Sequence, residues 1–386
     1  MRLRVGGMVL RVFQAIKRQI TRERVIWTAR GVFALFLIAQ IAPPVLRVTL
    51  DAPQEVLTQR PQLCVHTRLT DEVPEFRIQQ TFRAVREMGA DTIVEFFPWA
   101  YVEASRGVYD WTHPDRIFKH ARNQGVKILA RLGIVPQWAR PDDPDHPTTF
   151  NFLPEESYDA FATYAAQFAA RYQDALAGLI VWNEPNLTFE WGFQAVDAIG
   201  YTKLLETTTP AIRAAAAEVP ILAGALAPTV SETPDALSDL VYLGQMLEAG
   251  AADYFDVLAV HTYGFGVLPE QEPATNLANF RRVELVRAVM DEFGLSDRRM
   301  MVTEFGWNDH PRWGQAVTPA ERIRYTLNAY EIARTTWPSV DKMCLWVFRY
   351  PAPTNSYPDG YTLVTTDFDY KPLYFALQDY SHGGNP

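Results

Sequence analysis

Two glutamates lie in short motifs whose chemistry could break a glycosidic bond. Glu184 occurs in VWNEPN and Glu304 occurs in VTEFGW, and each motif follows or includes an apolar run. Cleavage of such a bond requires two carboxyl groups, because one protonates the leaving oxygen while the other attacks the anomeric carbon or activates water. A lone glutamate is more often an ion-pair partner, so the inference depends on both motifs together. The fold must therefore place them side by side.

Apolar, β-branched runs alternate with amphipathic helical patterns along most of the chain. The eight runs cover residues 62–67, 91–97, 126–133, 177–183, 220–226, 255–263, 299–305 and 342–348. Eight strand–helix units favour one closed (β/α)8 TIM barrel of the α/β class, and continuous apolar runs suit parallel strands buried on both faces. An open doubly wound sheet would place a glycine-rich loop after the first strand, but QLCVHTRLTDE contains no glycine. We therefore predict a catalytic barrel over residues 61–386.

In a TIM barrel the reactive side chains lie at the C-terminal ends of the strands. Glu184 and Glu304 would follow the fourth and seventh strands, across the barrel mouth from each other. The other side chains predicted at these ends are candidate substrate-binding residues: His66, Trp99, Arg131, Asn183, His261, Tyr263 and Trp346. The two histidines could equally be satisfied core residues, and Arg131 could clamp the nucleophile region or bridge barrel carboxylates.

The two glutamate motifs resemble the acid/base and nucleophile motifs of clan A glycoside hydrolases. The nearest branch is the family of β-xylosidases and α-L-iduronidases, which also includes exopolysaccharide-cleaving enzymes. The resemblance covers about residues 61–380, including RGVYDWTHPDRIFKHARNQGVKILARLGIVPQWA and DFDYKPLYFALQDY. It implies a retaining enzyme that cleaves β-linked bonds of a polysaccharide or oligosaccharide through a covalent glycosyl-enzyme, with Glu184 as acid/base and Glu304 as nucleophile.

The resemblance also implies roles for residues around the two glutamates. Asn183 would bind the sugar 2-hydroxyl, and Tyr263 would donate a hydrogen bond to Glu304. Trp346 would form the platform under the reacting sugar, because a ring face stacks on a pyranose without demanding a charge. The two histidines would fix hydroxyls or the geometry around them. No cofactor is implied, and the seven histidines show no metal-ligand spacing.

Several alternatives stay open at the level of sequence. A transglycosylase would use the same two glutamates, whereas a catalytically silent carbohydrate-binding barrel would be expected to lose one of them. The loops at residues 140–154 and 350–361 could shape an open groove or a closed pocket, so endo and exo action are not separated, nor is the sugar named. Three tryptophans in the loops after strands four and seven could be sugar platforms or loop packing: Trp191, Trp307 and Trp313.

Charge is distributed unevenly along the 386 residues. The formal net charge is −9, but residues 1–46 hold eight Lys/Arg and one acid, which leaves −16 on the remainder. So acidic a body would repel phosphate, which argues against a nucleic-acid partner. The expected partner is a carbohydrate substrate, and the oligomeric state is left open.

The basic N-terminus precedes an uncharged stretch, GVFALFLIAQIAPPVL, at residues 31–46. We predict a transmembrane anchor within residues 1–50, a linker at 51–60, and a catalytic domain outside the cytoplasm, because positive flanks stay inside. The alternatives are a cleaved signal peptide, which would give a secreted protein, and a helix of the fold itself.

The only two cysteines, Cys64 and Cys344, fall on the first and eighth predicted strands, which are neighbours in a closed barrel. Side-chain alternation predicts that both face the barrel interior. Adjacent parallel strands rarely present Cβ atoms at the spacing of a disulfide, so we expect two reduced, buried thiols.

Overall fold

The chain is described by a computed structural model that covers residues 5–41, 48–141 and 148–384, with side chains of the first helix from residues 11–33. It divides into two compact units, Met1–Thr49 and Leu50–Pro386. The predicted linker at residues 51–60 is part of the second unit.

The first unit contains one long helix, α1 (Val5–Ile41). Over the described part of the chain, no helix is both long enough and apolar enough to cross a membrane. The predicted anchor at residues 31–46 lies largely outside the described side chains. The transmembrane prediction is therefore not supported.

The second unit is a closed barrel of eight parallel strands, which confirms the predicted architecture. The strands are β1 (Leu63–His66), β2 (Thr92–Pro98), β3 (Lys127–Gly133), β4 (Leu176–Val181), β5 (Ile221–Leu226), β6 (Val257–Tyr263), β7 (Arg299–Gly306) and β8 (Val340–Leu345). Each strand pairs with the next in sequence, and β8 pairs with β1 to close the ring. Strand β8 therefore lies opposite β4.

Helices surround the strands and cover their outer faces. They are α2 (Glu75–Glu87), α3 (Trp99–Val102), α4 (Thr112–Gln124), α5 (Tyr158–Tyr172), α6 (Ala198–Ala215), α7 (Asp239–Glu248), α8 (Val283–Glu292), α9 (Pro319–Thr336) and α10 (Pro372–Ser381). A two-stranded hairpin, Glu232–Thr233 with Ala236–Leu237, decorates the loop after β5. Gly125 ends α4 at φ 68°, in the left-handed region that glycine adopts at the C-terminal ends of helices.

Side chains alternate between two apolar layers. Outward-facing residues such as Leu63 and Val65 join the large cluster between strands and helices, whereas inward-facing residues such as Val94 and Ile180 form a smaller cluster inside the barrel. This filled interior supports the polar residues at the strand ends above it.

Residues 51–60 run against the second unit and bond to its backbone. The Gln54 amide donates to the Asn123 carbonyl at 2.8 Å, and the Gln59 amide donates to the Ser381 carbonyl at 2.7 Å. Both partners lie in the last turns of helices of the outer ring, so the segment connects the C-terminal ends of α4 and α10.

Cys64 and Cys344 form a disulfide, so the prediction of two reduced thiols is wrong. Both side chains belong to the interior cluster, as predicted. The two residues pair directly in register, and their Cα atoms are only 4.1 Å apart. That approach is closer than the usual spacing of adjacent strands, about 4.8 Å. Adjacent parallel strands rarely allow a disulfide, but this register brings the two cysteines close enough to form one.

Removing this disulfide should destabilise the barrel substantially. The bond closes a loop of 280 residues, so the unfolded chain loses much conformational freedom when it is present. We expect the Cys64→Ala/Cys344→Ala variant to lose roughly 2–4 kcal/mol in free energy of unfolding. Urea unfolding would measure this loss. Wild-type protein unfolded in the presence of reductant should have the same free energy of unfolding as the variant. Two free thiols in unfolded, unreduced wild-type protein would contradict the bond.

Candidate functional site

Glu184 lies just beyond β4 on a backbone that few non-glycine residues adopt. Its φ is 43°, and that of nearby Trp182 is 73°, both in the left-handed region. The Glu184 amide donates to the Ala225 carbonyl at 3.0 Å, and the Trp182 indole donates to the Glu190 carbonyl at 2.9 Å. Such conformations cost about 1–3 kcal/mol each and persist where surrounding contacts enforce them, often at functional sites.

Glu304 lies on β7 and meets Glu184 at the barrel mouth. One carboxylate oxygen of each glutamate and a ring nitrogen of His261 lie within 4.8 Å of one another. Retaining glycosidases separate their carboxyl groups by about 5–5.5 Å, whereas inverting enzymes need roughly 6.5–9.5 Å to admit a water. The closest oxygens of the observed pair are near enough for the shorter of these two separations.

The carboxylate of Glu304 is held by donors on both oxygens. Arg131 Nη1 donates to Oε1 at 2.7 Å, and the Tyr263 hydroxyl donates to Oε2 at 2.7 Å. Burial alone would raise the pKa of Glu304, but the positive charges of His261 and Arg131 and the Tyr263 hydrogen bond lower it to about 2. Glu304 is therefore ionised throughout the neutral range.

Glu184 has a different environment. Its Oε1 lies 2.7 Å from Nδ1 of His261, which also lies 3.8 Å from Oε2 of Glu304. Burial would lower the pKa of His261, but the negative charges of Glu304 and Glu184 raise it. The short contact therefore places a proton between Glu184 and His261, next to an ionised Glu304.

His66 presents an unused nitrogen to the site. Its Nδ1 lies 2.9 Å from the Thr67 carbonyl, which only accepts, so Nδ1 carries the hydrogen. Nε2 is buried, has no hydrogen-bond partner among the described residues, and lies 3.4 Å from Oε1 of Glu304. Burial, and then the charge of Arg131, lower the pKa of His66 to about 3, so the ring is neutral. A hydroxyl placed here could donate to either atom.

The neutral state of His66 predicts a stability change with pH. In the unfolded chain, His66 binds a proton below its ordinary pKa of 6.5. In the folded protein, it stays neutral down to about pH 3. Stability should therefore fall as pH drops through this window, by roughly 2 kcal/mol between pH 7 and pH 5. Urea unfolding at several pH values would measure it for wild-type protein and for His66→Asn, which cannot titrate there. If the free energy of unfolding changed with pH in the same way for both proteins, the assignment of a neutral His66 would be contradicted.

Arg131 and Asn183 extend the network toward the loop after β4. Arg131 Nη1 donates to Asn183 Oδ1 at 2.7 Å as well as to Glu304, so the amide nitrogen of Asn183 points the other way. There it hydrogen-bonds the carboxyl group of Glu190, which Asn151 also approaches at 3.4 Å. Burial, and then the charge of Glu184, raise the pKa of Glu190 to about 7.

Of the two tryptophan candidates, Trp346 is connected to the site through Tyr361, which packs against Tyr263 at 5.7 Å, and Trp99 is not. The Trp346 ring is half-buried and packs edge-on against Tyr361 at 5.0 Å. Trp99 is fully buried, stacks near Tyr164, and donates to Glu103 at 2.6 Å. It begins α3 instead of ending β2, so its ring turns into the helical layer. Its predicted place at the barrel mouth is thus corrected.

Two of the three loop tryptophans also belong to the packing. Trp191 is 3% exposed and lies edge-on to Trp182 at 5.5 Å. Trp307 is 1% exposed and donates to the Val267 carbonyl at 2.7 Å. Trp313 is only half-buried.

The cluster of Glu184, His261 and Glu304 has the donor types of a metal site. A divalent cation there would meet the guanidinium of Arg131, which is already bonded to Glu304 at 2.7 Å. The electrostatics of the cluster therefore suit proton transfer better than metal binding.

Solved glycoside hydrolase structures resemble this barrel. A family 39 glycoside hydrolase from the gut symbiont Bacteroides cellulosilyticus WH2 has a TM-score of 0.67 at 21% identity, covering 86% of this chain and 66% of that one. A family 39 β-xylosidase from Caulobacter crescentus has a TM-score of 0.61 at 20% identity, covering 86% and 72%. A family 39 enzyme from Xanthomonas axonopodis pv. citri has a TM-score of 0.62 at 19% identity, covering 88% and 71%.

The chain shares the fold of these glycoside hydrolases. It spans slightly less than two thirds of the Bacteroides protein. No protein-family model matches the sequence, and no curated protein matches it either.

Glu190 and Tyr361 are not among the site residues predicted from the sequence. Glu190 follows the VWNEPN motif on the same loop, and that proximity is the only sequence signal for it. Tyr361 lies in the loop after β8, where its contact with Trp346 depends on how that loop folds back.

Proposed function

We propose that this chain is a retaining glycoside hydrolase that cleaves β-linked bonds by double displacement, with Glu304 as nucleophile and Glu184 as acid/base. One observation carries the proposal. One oxygen of Glu184 and one of Glu304 lie within 4.8 Å of each other, Glu304 is held ionised by Arg131 and Tyr263, and Glu184 is hydrogen-bonded to His261. Different environments for two adjacent carboxyls are what acid/base and nucleophile roles require.

In the first step, Glu304 attacks the anomeric carbon while the proton at Glu184 passes to the glycosidic oxygen. The bond to the leaving group breaks, and a glycosyl ester forms on Glu304. In the second step, Glu184 takes a proton from water, whose oxygen attacks the anomeric carbon and releases Glu304. Two inversions give net retention.

The surrounding residues support this sequence. Arg131 donates to the oxygen of Asn183, and Glu190 accepts one N–H of its amide nitrogen. The second N–H of that nitrogen would donate to the sugar 2-hydroxyl. Nε2 of His66 accepts from a further hydroxyl, and the Trp346 ring lies under the sugar.

The alternatives differ in what they need from the site. A silent binding barrel does not require a carboxylate whose pKa is lowered to about 2 next to a second carboxyl group that is hydrogen-bonded to a buried histidine. A transglycosylase uses the same two steps with a sugar hydroxyl in place of water, so products decide between them.

A panel of polysaccharides and aryl β-glycosides, with products read by mass spectrometry, tests the proposal. Aryl β-xyloside is a sensible first probe because one fold neighbour is a β-xylosidase. Proton NMR should show the β-anomer as the first product. An initial α-anomer would contradict the retaining mechanism. Inactivity on the whole panel would contradict the assignment as an enzyme.

We also propose that the barrel works outside the cytoplasm. The Cys64–Cys344 disulfide supports this, because disulfides persist mainly in oxidising compartments. Recovery of the protein in the cytoplasmic fraction with both thiols free would contradict it.

A further inference from the structure

Four aromatic side chains form a continuous surface beside the catalytic centre, here called the aromatic wall: Trp313, Trp346, Tyr357 and Tyr361. Tyr361 is the hub, with ring centroids 5.0 Å from Trp346, 5.8 Å from Tyr357 and 6.4 Å from Trp313. Trp313 and Tyr357 also touch each other edge-on at 5.2 Å. The wall therefore extends the Trp346 platform outward across the loops after β7 and β8.

The wall is held by buried polar groups. Asn308 is fully buried, and its amide donates to the Tyr357 carbonyl at 3.0 Å. Gly360 packs so tightly that a Cβ there would lie 2.0 Å from Asn308 Oδ1. Buried Arg322 donates to the Tyr361 and Thr362 carbonyls. The backbone of Tyr357 and Tyr361 is thus fixed before a ligand binds, so binding costs little conformational entropy.

Two members of the wall expose ring surface that packing does not explain. Tyr361 is 4% exposed and completes the loop core, but Tyr357 is 46% exposed. Trp313 is half-buried at the same edge. Large rings that are rigidly placed and partly open to solvent are typical of binding surfaces, and a flat ring face suits the apolar face of a pyranose.

The position of the wall indicates which sugar it would meet. Tyr361 also packs against Tyr263 at 5.7 Å, and the Tyr263 hydroxyl bonds the nucleophile Glu304. Strand β8 lies opposite β4, whose loop carries Glu184. Because Glu184 protonates the leaving group, the leaving group lies on the β4 side. A sugar over the wall belongs to the other, glycone side of the cleaved bond.

We propose that Trp313 and Tyr357 form a second glycone subsite, which binds the sugar unit next to the reacting one. The inference rests on the proposed glycosidase function and deepens it. The substrate would be an oligosaccharide or polysaccharide with at least two units on the glycone side, so the enzyme would release units longer than a monosaccharide.

The test compares 4-nitrophenyl β-glycosides of a monosaccharide and of the matching β-linked disaccharide, in the xylose, glucose and mannose series. Wild-type protein should favour the disaccharide glycoside by tenfold or more in kcat/KM in the series that it cleaves. Trp313→Ala and Tyr357→Ala should each reduce that preference by about tenfold. Phe375→Ala removes an exposed ring from α10, away from the wall, and should keep the wild-type preference.

Binding provides a second readout that does not need turnover. The disaccharide glycosides should bind the inactive Glu304→Gln protein saturably by calorimetry, and adding Trp313→Ala should weaken that binding at least tenfold. Cleavage without a disaccharide preference, or a preference that survives both substitutions, overturns the subsite. Binding that depends on Trp313 without any cleavage would refute the proposed function and leave the subsite standing. Neither binding nor cleavage would refute both.

Discussion

Glu304→Ala is expected to lower kcat/KM by at least roughly 10⁴-fold, a loss of about 5 kcal/mol of transition-state stabilisation. The substitution removes the atom that forms the covalent bond to the sugar, and no other described carboxylate is held beside Arg131 and Tyr263 in its place. Glu304→Gln keeps the shape but loses the charge, and should be as inactive. Glu248→Ala, on the exposed side of α7, is the matched control and should keep wild-type rates.

Azide distinguishes a lost nucleophile from a damaged fold. In Glu304→Ala a small anion can enter the space left by the side chain and attack the anomeric carbon once. A single displacement gives a glycosyl azide of inverted, α configuration, which NMR identifies. Rescue that yields the β-azide would show that the nucleophile has been assigned to the wrong glutamate.

Glu184→Ala should give a rate loss that depends on the leaving group. For an unactivated sugar leaving group, loss of general-acid assistance should cost about 10²–10⁴-fold. For 2,4-dinitrophenolate, which leaves without a proton, formation of the glycosyl-enzyme should be nearly preserved and its hydrolysis should become slow. A burst of dinitrophenolate followed by a slow steady rate would report this change.

Added azide should remove that slow step. It attacks the glycosyl-enzyme without needing a base, so the product is the β-azide with retained configuration. Equal losses for good and poor leaving groups would contradict the acid/base role of Glu184, and exchange of the two azide products between the variants would reverse both assignments.

The barrel could be predicted from the sequence because its signal is local. Each of the eight apolar runs became a strand, with ends shifted by at most a few residues. The largest shift is at the last strand, predicted at 342–348 and found at Val340–Leu345, which places Trp346 just beyond the strand. Strand-end prediction also depends on single residues. Trp99 is one residue past β2, and that step is enough to turn its ring into the helical layer.

The two glutamates could be predicted because fold and motif agree on their positions. What could not be predicted depends on contacts between distant segments. Glu190 follows Glu184 in sequence, but its raised pKa comes from burial and from the charge of Glu184. The Cys64–Cys344 bond depends on the register between the first and last strands, and that register places the two residues directly opposite each other. No periodicity within either strand encodes it.

The segment at residues 51–60 changes where the folded unit begins. Its polar composition is typical of a spacer, but its backbone is hydrogen-bonded to Asn123 in the last turn of α4 and to Ser381 at the end of α10. Gly125 has no room for a side chain because a Cβ there would lie 2.7 Å from the Gln54 carbonyl oxygen. The segment therefore connects α4, an early helix of the outer ring, to α10, the last one. A fragment or fusion that begins at residue 61 would lose these hydrogen bonds, whereas one that begins at Leu50 would keep them.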